Sequence, residues 1–252
     1  MFSPDDLTDD AFLGGRLQLW QPLAGYRAAT DPVLLAAAVA ARPGQSVLDL
    51  GCGAGTASLC LGARIAGLHL SGLELQPDYA DLARRNAARN SITLRVTDGD
   101  LADIPDDLKR GFDHVIANPP FYAPQGTPSR DAGRDTALRL GTPLASWVAC
   151  AARRLTPGGW LTMIIAAHYL PETLAACTGP LGSLAVLPLS ARQGQPGSRI
   201  LLQARKGGRR PFRLLAPFVL HAGSAHDTDR DSYTPDAKHI LRDGGNLTAE
   251  FR

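Results

Sequence analysis

Four consecutive residues, Asn118-Pro119-Pro120-Phe121, combine a side-chain amide, a doubly restricted backbone and an aromatic ring. Two prolines in a row fix φ, so the Asn118 side-chain carbonyl and the Pro119 backbone carbonyl are held in one arrangement. Two such acceptors can take both hydrogens of an amino group on a flat, conjugated molecule. They then favour a pyramidal nitrogen whose lone pair is free to attack. Phe121 can stack on the flat group, as aromatic rings do with extruded bases. The chemistry implied is alkylation of a poor nitrogen nucleophile, with positioning and placed dipoles supplying most of the rate. It needs no strong base, and no nucleophilic cysteine or Ser/His/Asp arrangement accompanies it. A plain turn with a core aromatic is the competing reading, and the motif's place at a strand end disfavours it.

A ligand-holding turn lies upstream. Val47-Leu48-Asp49-Leu50 is a short apolar run leading into Gly51-Cys52-Gly53-Ala54-Gly55. Glycines at 51, 53 and 55 let the backbone turn tightly and approach a ligand without Cβ clashes, and the next helix presents its amide end. The dinucleotide fingerprint needs a third glycine at position 56, which is Thr56. The spacing G-x-G-x-G moves the expectation from a nicotinamide to S-adenosylmethionine, which has no pyrophosphate. Glu74 ends the next strand, with Leu75 after it, where a carboxylate can accept from both ribose hydroxyls. Asp100 ends the third strand and, with the backbone of Leu101, can hold an adenine edge. Asp49 either orders the glycine turn or meets the positive amino-acid end of the ligand. Cys52 is expected to pack in the turn rather than react.

These positions require a particular scaffold. The spacing predicts strands at Ser46–Leu50, Leu68–Leu73, Ile92–Thr97, Asp113–Ala117 and Trp160–Ala166. Helices are expected from Thr30-Asp31-Pro32 to Pro43-Gly44, over Thr56–Arg64, from Pro77, over Leu144–Leu155 and over Pro171–Cys177, with Asp31 as a side-chain cap and Pro32 at the first helical position. Alternation of this kind specifies an α/β fold: a doubly wound, mostly parallel, seven-stranded Rossmann-like sheet. Leu184–Leu189 and Ile200–Ala204 are joined too closely for a parallel crossover, so they form an antiparallel edge. The organisation expected is a short N-terminal arm or hairpin over 1–30, a core over 31–205 and an appendage over 206–252. That appendage carries one strand, Phe218–Leu220, and a last helix, Pro235–Leu241.

With 252 residues and a net charge of +2, the chain can bury a large core and is only mildly basic. Arg205, Lys206, Arg209, Arg210 and Arg213 form one basic cluster, and Arg130, Arg134 and Arg139 a looser one. Each is either a solvated face or a set of phosphate contacts. Four cysteines, Cys52, Cys60, Cys150 and Cys177, lack metal-ligand spacing and suit buried thiols in a reducing compartment. The six histidines are scattered and read as surface or strand-flanking residues. The start of the chain has no signal pattern and no apolar run is long enough for a bilayer, so a cytoplasmic protein with no membrane partner and no metal is expected.

Taken together, these motifs resemble the class I S-adenosylmethionine-dependent methyltransferases, in particular the amino-methylating group with Asn/Asp-Pro-Pro-aromatic. Tyr26-Arg27-Ala28-Ala29-Thr30-Asp31-Pro32-Val33-Leu34-Leu35 and Gln195-Pro196-Gly197-Ser198-Arg199-Ile200-Leu201-Leu202 resemble segments of the bacterial valine-tRNA adenine-N6 methyltransferase family. The resemblance implies that Asp49, Gly51, Gly53, Glu74 and Asp100 bind the cofactor, with Tyr26, Arg27, Thr30 and Asp31 closing over it, Asp31 alternatively serving only as a helix cap. It implies that Asn118, Pro119 and Phe121 receive the target amine, and that the partner is an RNA, most simply tRNA. The stretch after Lys206 matches only loosely. A protein glutamine amide and another RNA or DNA adenine stand as alternative acceptors. The short arm argues against the glutamine reading, and the absence of a large target-recognition domain argues against DNA. A nicotinamide dehydrogenase and a non-catalytic nucleotide- or RNA-binding module are more distant readings.

Overall fold

Apolar runs that alternate faces decide where the strands lie. A computed structural model describes residues 1–120, 142–223 and 232–252. The arm is a hairpin: β1 (Leu7–Phe12) pairs antiparallel with β2 (Leu17–Pro22), from Leu7 opposite Pro22 to Phe12 opposite Leu17. Then follow α1 (Asp31–Ala38), β3 (Ser46–Leu50), α2 (Thr56–Arg64), β4 (His69–Glu74), α3 (Pro77–Arg89), β5 (Leu94–Asp98) and β6 (Phe112–Ala117). After residue 141 come α4 (Leu144–Arg154), β7 (Leu155–Ala166), α5 (Leu170–Cys177), β8 (Leu181–Ser190) and β9 (Gly197–Lys206). Two short strands, β10 (Arg213–Leu214) and β11 (Phe218–Val219), and α6 (Pro235–Asp243) complete the described elements.

The main sheet has nine described strands in the order β5-β4-β3-β6-β7-β9-β8-β10, with β11 also pairing β8. All pair in parallel except β9, which runs antiparallel to both β7 and β8. The mostly parallel sheet and the antiparallel β8–β9 pair follow the sequence reading. The count of nine exceeds seven because β10 and β11, two residues each, add to β8. Residues alternate between two cores. Val47, Ile116, Ile164 and Leu201 face α1, α2 and α6. Leu48, Val115, Ile165 and Leu202 face α4 and α5. Strands covered on both faces have to be apolar throughout, which leaves polar chemistry to their ends.

Two elements differ from the expectation for identifiable reasons. Helix α1 stops at Ala38, short of Pro43, because partners from elsewhere take its terminal carbonyls. Arg64 donates to the carbonyls of Ala36 and Val39, Leu247 N–H to Ala37, and Gln203 to Ala38, all within 2.6–2.8 Å. At its other end Asp31 is not the cap: it is the first helical residue. Thr30 before it already has helical backbone (φ −78°, ψ −29°) and makes no cap, and the Asp31 carboxylate pairs with Arg199 at 3.2 Å instead. Strand β7 starts at Leu155, and Pro157-Gly158-Gly159 forms an irregularity within it instead of a loop before it. A Cβ at Gly159 would lie 2.9 Å from the Asp113 carbonyl. Among the described residues no helix is long and apolar enough to cross a membrane.

The hairpin docks on α3 through two asparagines one turn apart. Asn90 accepts from Gln18 N–H (3.0 Å) and donates to the Gln18 carbonyl (2.9 Å). Asn86 does the same with Trp20 (2.8 and 3.0 Å) and also donates to the Ala54 carbonyl in the glycine turn (3.0 Å). The pair stands in for a neighbouring strand along the exposed edge of β2. Arg85 and Arg89 lie over the Trp20 ring at 5.2 and 4.6 Å, and Arg89 pairs with Asp9 at 2.6 Å. Asn86 is fully buried, so its loss strands three backbone groups. Asn86→Ala should cost about 3 kcal/mol in urea denaturation and expose the 23–27 segment to protease, whereas Asn90→Ala should cost less than half as much. Equal costs would show that the contact with the glycine turn adds nothing.

Candidate active site

Strand order reverses beside β3: its connection to β4 goes one way across the sheet, while β6 lies on its other side. Such a switch point opens a crevice at the carboxyl ends of the strands. A cavity of about 660 Å³ fills it, lined by the ends of β3, β4 and β6, the segment before α1, the start of α4 and the region after β7. Ligand sites commonly fall within about 300–1,000 Å³.

Most of the residues singled out from the sequence meet here. Arg27, Asp31, Gly51, Gly53, Glu74, Leu75, Asp100, Leu101, Asn118, Pro119 and Pro120 line the cavity. Asp49 and Cys52 line a smaller chamber of about 30 Å³, which also touches Tyr26, Gly51 and Asn118. Gly55 and Thr30 line neither space. Gly55 (φ 85°) serves packing instead, since a Cβ there would be 3.3 Å from Ala83 and Leu94. Phe121 and the basic residues Arg130, Arg134 and Arg139 lie outside the described residues.

The buried carboxylates have defined partners. Glu74 accepts from Gly53 N–H at 2.8 Å through Oε2 and from Gln76 N–H at 2.9 Å through Oε1. Burial raises its pKa, and those amide hydrogen bonds oppose the rise. Asp49, fully enclosed, accepts from Ser58 Oγ at 2.8 Å, and burial pushes its pKa up to about 7. Cys52 packs as expected: its sulfur occupies the space a Cβ at Gly72 would need, and burial raises its thiol pKa well above the usual value. Asp100 is exposed and holds its own turn through Ala102 N–H at 2.8 Å. Asn118 donates from Nδ2 to the Tyr26 hydroxyl at 3.1 Å.

The donor set suits S-adenosylmethionine better than a pyrophosphate. Gly53 N–H, the turn amide that would face a phosphate, is taken by Glu74. Arg27 is paired with Asp10 at 2.6 Å and Arg199 with Asp31 at 3.2 Å. Carboxylates on the wall favour a ligand with hydroxyls and positive charge.

Several lining residues escaped the sequence reading: Tyr79, Trp147, Tyr169, Glu172 and Arg199. Tyr79 carries the apolar side of α3 yet turns its hydroxyl to the Tyr26 backbone. Trp147 presses on the glycine turn, where a Cβ at Gly51 would be 2.7 Å from its ring. The basic cluster proves distant. β9 puts Arg199 beside Ala166 at the site end and Arg205 beside Trp160 at the other, six residues along the strand and roughly 20 Å away. Arg205 donates to the Gly158 carbonyl, Lys206 to Leu155, and Arg213 to Phe251 and Arg252. These three therefore stand away from the cavity, and each commits a donor to a backbone carbonyl.

A glycine turn after the central strand, carboxylates at the two following strand ends and Asn-Pro-Pro at the fourth define a class I S-adenosylmethionine-dependent methyltransferase. The methyltransferase small domain model matches residues 29–179, and the chain belongs to that family. A protein of Yersinia enterocolitica named tRNA1(Val) (adenine(37)-N6)-methyltransferase is 31% identical over 193 residues, covering 74% of this chain and 76% of that one. A Yersinia pestis protein of the same name is 29% identical, with 74% and 77% covered. A crystal structure of a predicted O-methyltransferase from Agrobacterium tumefaciens superposes with TM-score 0.69 at 26% identity, covering 86% of this chain and 98% of that one. An O-methyltransferase from Thermotoga maritima shares the fold, with TM-score 0.54 at 15% identity over 74% and 68% of the two chains.

Two outcomes test the geometry. Gly51→Ala combines φ 66° with a clash on Trp147 and should weaken S-adenosylhomocysteine binding about tenfold or more by calorimetry. The second is pH-dependent. The Asp49 pKa is raised on folding, so its contribution to stability is full at low pH and is lost as pH rises through about 7. A ligand with a positive amino group binds the ionised form better. Melting of the free protein should therefore fall as pH rises from about 4 to about 7 and level off above, while the shift induced by S-adenosylhomocysteine grows over the same range, and Asp49→Asn should flatten both trends.

Proposed function

We propose that this methyltransferase transfers a methyl group to adenine N6 of an RNA, and that the RNA is a tRNA. One observation carries the reading: Asn118, Pro119 and Pro120 line the same cavity as Gly51, Gly53 and Glu74. An amine acceptor thus faces the place where the cofactor would sit. The names of the Yersinia relatives support the choice of adenine and of tRNA.

S-adenosylmethionine supplies, when bound, a methyl group on a positively charged sulfur. Glu74 takes the ribose hydroxyls, the Asp100-Leu101 turn the adenine edge, and Asp49 the positive amino end through the glycine turn. Asn118 Oδ1 and the Pro119 carbonyl accept the two N–H bonds of the target amine. That geometry localises the lone pair and aims it across the cavity. Among the described residues nothing donates to Asn118 Oδ1, so the acceptor is available. The amine's surplus proton leaves to solvent at the cavity mouth, and no general base is required.

Incubation with methyl-labelled S-adenosylmethionine and unmodified tRNA, ribosomal RNA, DNA or a protein extract tests the proposal. Label is expected in tRNA, recovered as N6-methyladenosine. Label in protein alone would move the acceptor to a glutamine amide. Asn118→Ala should lower transfer by about 100-fold or more while S-adenosylhomocysteine affinity stays within about twofold. Parallel loss of both would remove Asn118 from the amine-binding role.

A further inference from the structure

The Asn118 side-chain amide can sit in two orientations half a turn apart, and only one offers a carbonyl to an amine. The partner that distinguishes them comes from outside the sheet. Tyr26 lies between β2 and α1, and its hydroxyl receives Asn118 Nδ2 at 3.1 Å. The backbone on which Tyr26 sits is clamped. Its N–H donates to the Tyr79 hydroxyl at 2.7 Å, and that hydroxyl donates back to the Tyr26 carbonyl at 3.2 Å. Gly25 (φ 115°) makes room for the clamp, because a Cβ there would be 2.6 Å from the Tyr79 oxygen. On the other side Arg27 is tied to Thr8, the Pro22 carbonyl and Asp10 at 2.6–2.8 Å. The Tyr26 ring itself lies over Gly53, 3.8 Å from where a Cβ would be.

A phenol can donate or accept, so its direction matters. Tyr26 is 40% exposed as a residue, but enclosure of its hydroxyl and the nearby Asp31 and Asp49 carboxylates raise its pKa, so it stays a protonated phenol. In its hydrogen bond with Asn118 the hydroxyl oxygen accepts and Nδ2 donates. The carbonyl is then the atom left for substrate.

We propose that Tyr26 is a positioning residue: its hydroxyl fixes the Asn118 amide with Nδ2 inward and Oδ1 toward the target amine, so that docking of the N-terminal segment sets the catalytic acceptor. This rests on the amine-binding role given to Asn118. It assigns the segment before α1 a part in the methyl-transfer step itself, separate from closing over the cofactor.

Tyr26→Phe keeps the ring over Gly53 and deletes only the hydroxyl. It should lower kcat about 10- to 30-fold while the tRNA KM and the S-adenosylhomocysteine Kd stay within about twofold. An unchanged kcat, or an equal loss of cofactor affinity, overturns the proposal. A carboxylate has two equivalent oxygens and no orientation to set. In an Asn118→Asp background that retains transfer, Tyr26→Phe should therefore cost less than about threefold, and an undiminished cost counts against the role. An independent readout needs no substrate. The Asn118 side-chain amide resonance, assigned by its disappearance in Asn118→Ala, should move in Tyr26→Phe and hold its position in Arg205→Lys. A resonance unmoved by Tyr26→Phe overturns the proposal even if the enzyme's acceptor turns out not to be RNA. A wild-type protein that methylates no acceptor would refute the functional reading and leave the resonance test standing.

Discussion

The structure depends on a buried amide. Asn86 has a side chain with two donors and two acceptor positions, and three of these meet backbone groups of two other segments: Trp20 on the hairpin and Ala54 in the glycine turn. A buried amide of this kind is stable only when its partners are all in place, so it imposes a unique relative position on them. An apolar residue at 86 would tolerate sliding of the hairpin along α3. An asparagine does not, and Asn90 repeats the constraint one turn on. The hairpin leads directly to Tyr26, whose backbone Tyr79 holds from the same helix. Helix α3 therefore locates both the segment before α1 and the glycine turn against a single rigid surface.

The parallel sheet supplies the complementary constraint. Strands with both faces covered have no room for polar side chains except at their ends, and the parallel arrangement gathers those ends on one edge. Gly51, Glu74, Asp100 and Asn118 lie at or just beyond the ends of four separate strands yet converge on one cavity. The antiparallel β9 enters this arrangement in reverse, so its first residues reach the site and its last do not. Arg199 can pair with Asp31 for that reason, while Arg205 and Lys206 serve carbonyls at the far end.

Local pattern carried much of this and failed where contacts are remote. Ser46–Leu50 and Thr56–Arg64 were legible residue for residue, because an apolar run, a glycine turn and a helix pattern are all written locally. The convergence of strand ends followed from the alternation of elements. The end of α1 did not, because Arg64, Gln203 and Leu247 decide it from positions far along the chain. Tyr79 and Trp147 fit the apolar sides of their helices, and nothing in periodicity marks a hydroxyl or an indole edge as reaching the site. The run from Arg205 to Arg213 could not be placed relative to the site, because a sequence gives the charges without the end of the sheet on which they fall.

Asp49 and Glu74 show why such a site costs stability. Both are buried, both have raised pKa values, and each adds to the electrostatic burden around Cys52. Local hydrogen bonds from Ser58, Gly53 and Gln76 offset part of the desolvation and leave the remainder in place. A sequence selected for folding alone would replace such a pair with apolar residues of similar size. Their presence beside a left-handed glycine turn puts the unfavourable energy where, on the roles proposed for them, a positively charged, hydroxyl-bearing ligand would relieve it. The fixed amide of Asn118 belongs to the same economy. In the role proposed for Asn118, orienting the acceptor before substrate arrives would move an ordering cost from the reaction into the folded state, and the contacts of α3 with the N-terminal segment would hold it there.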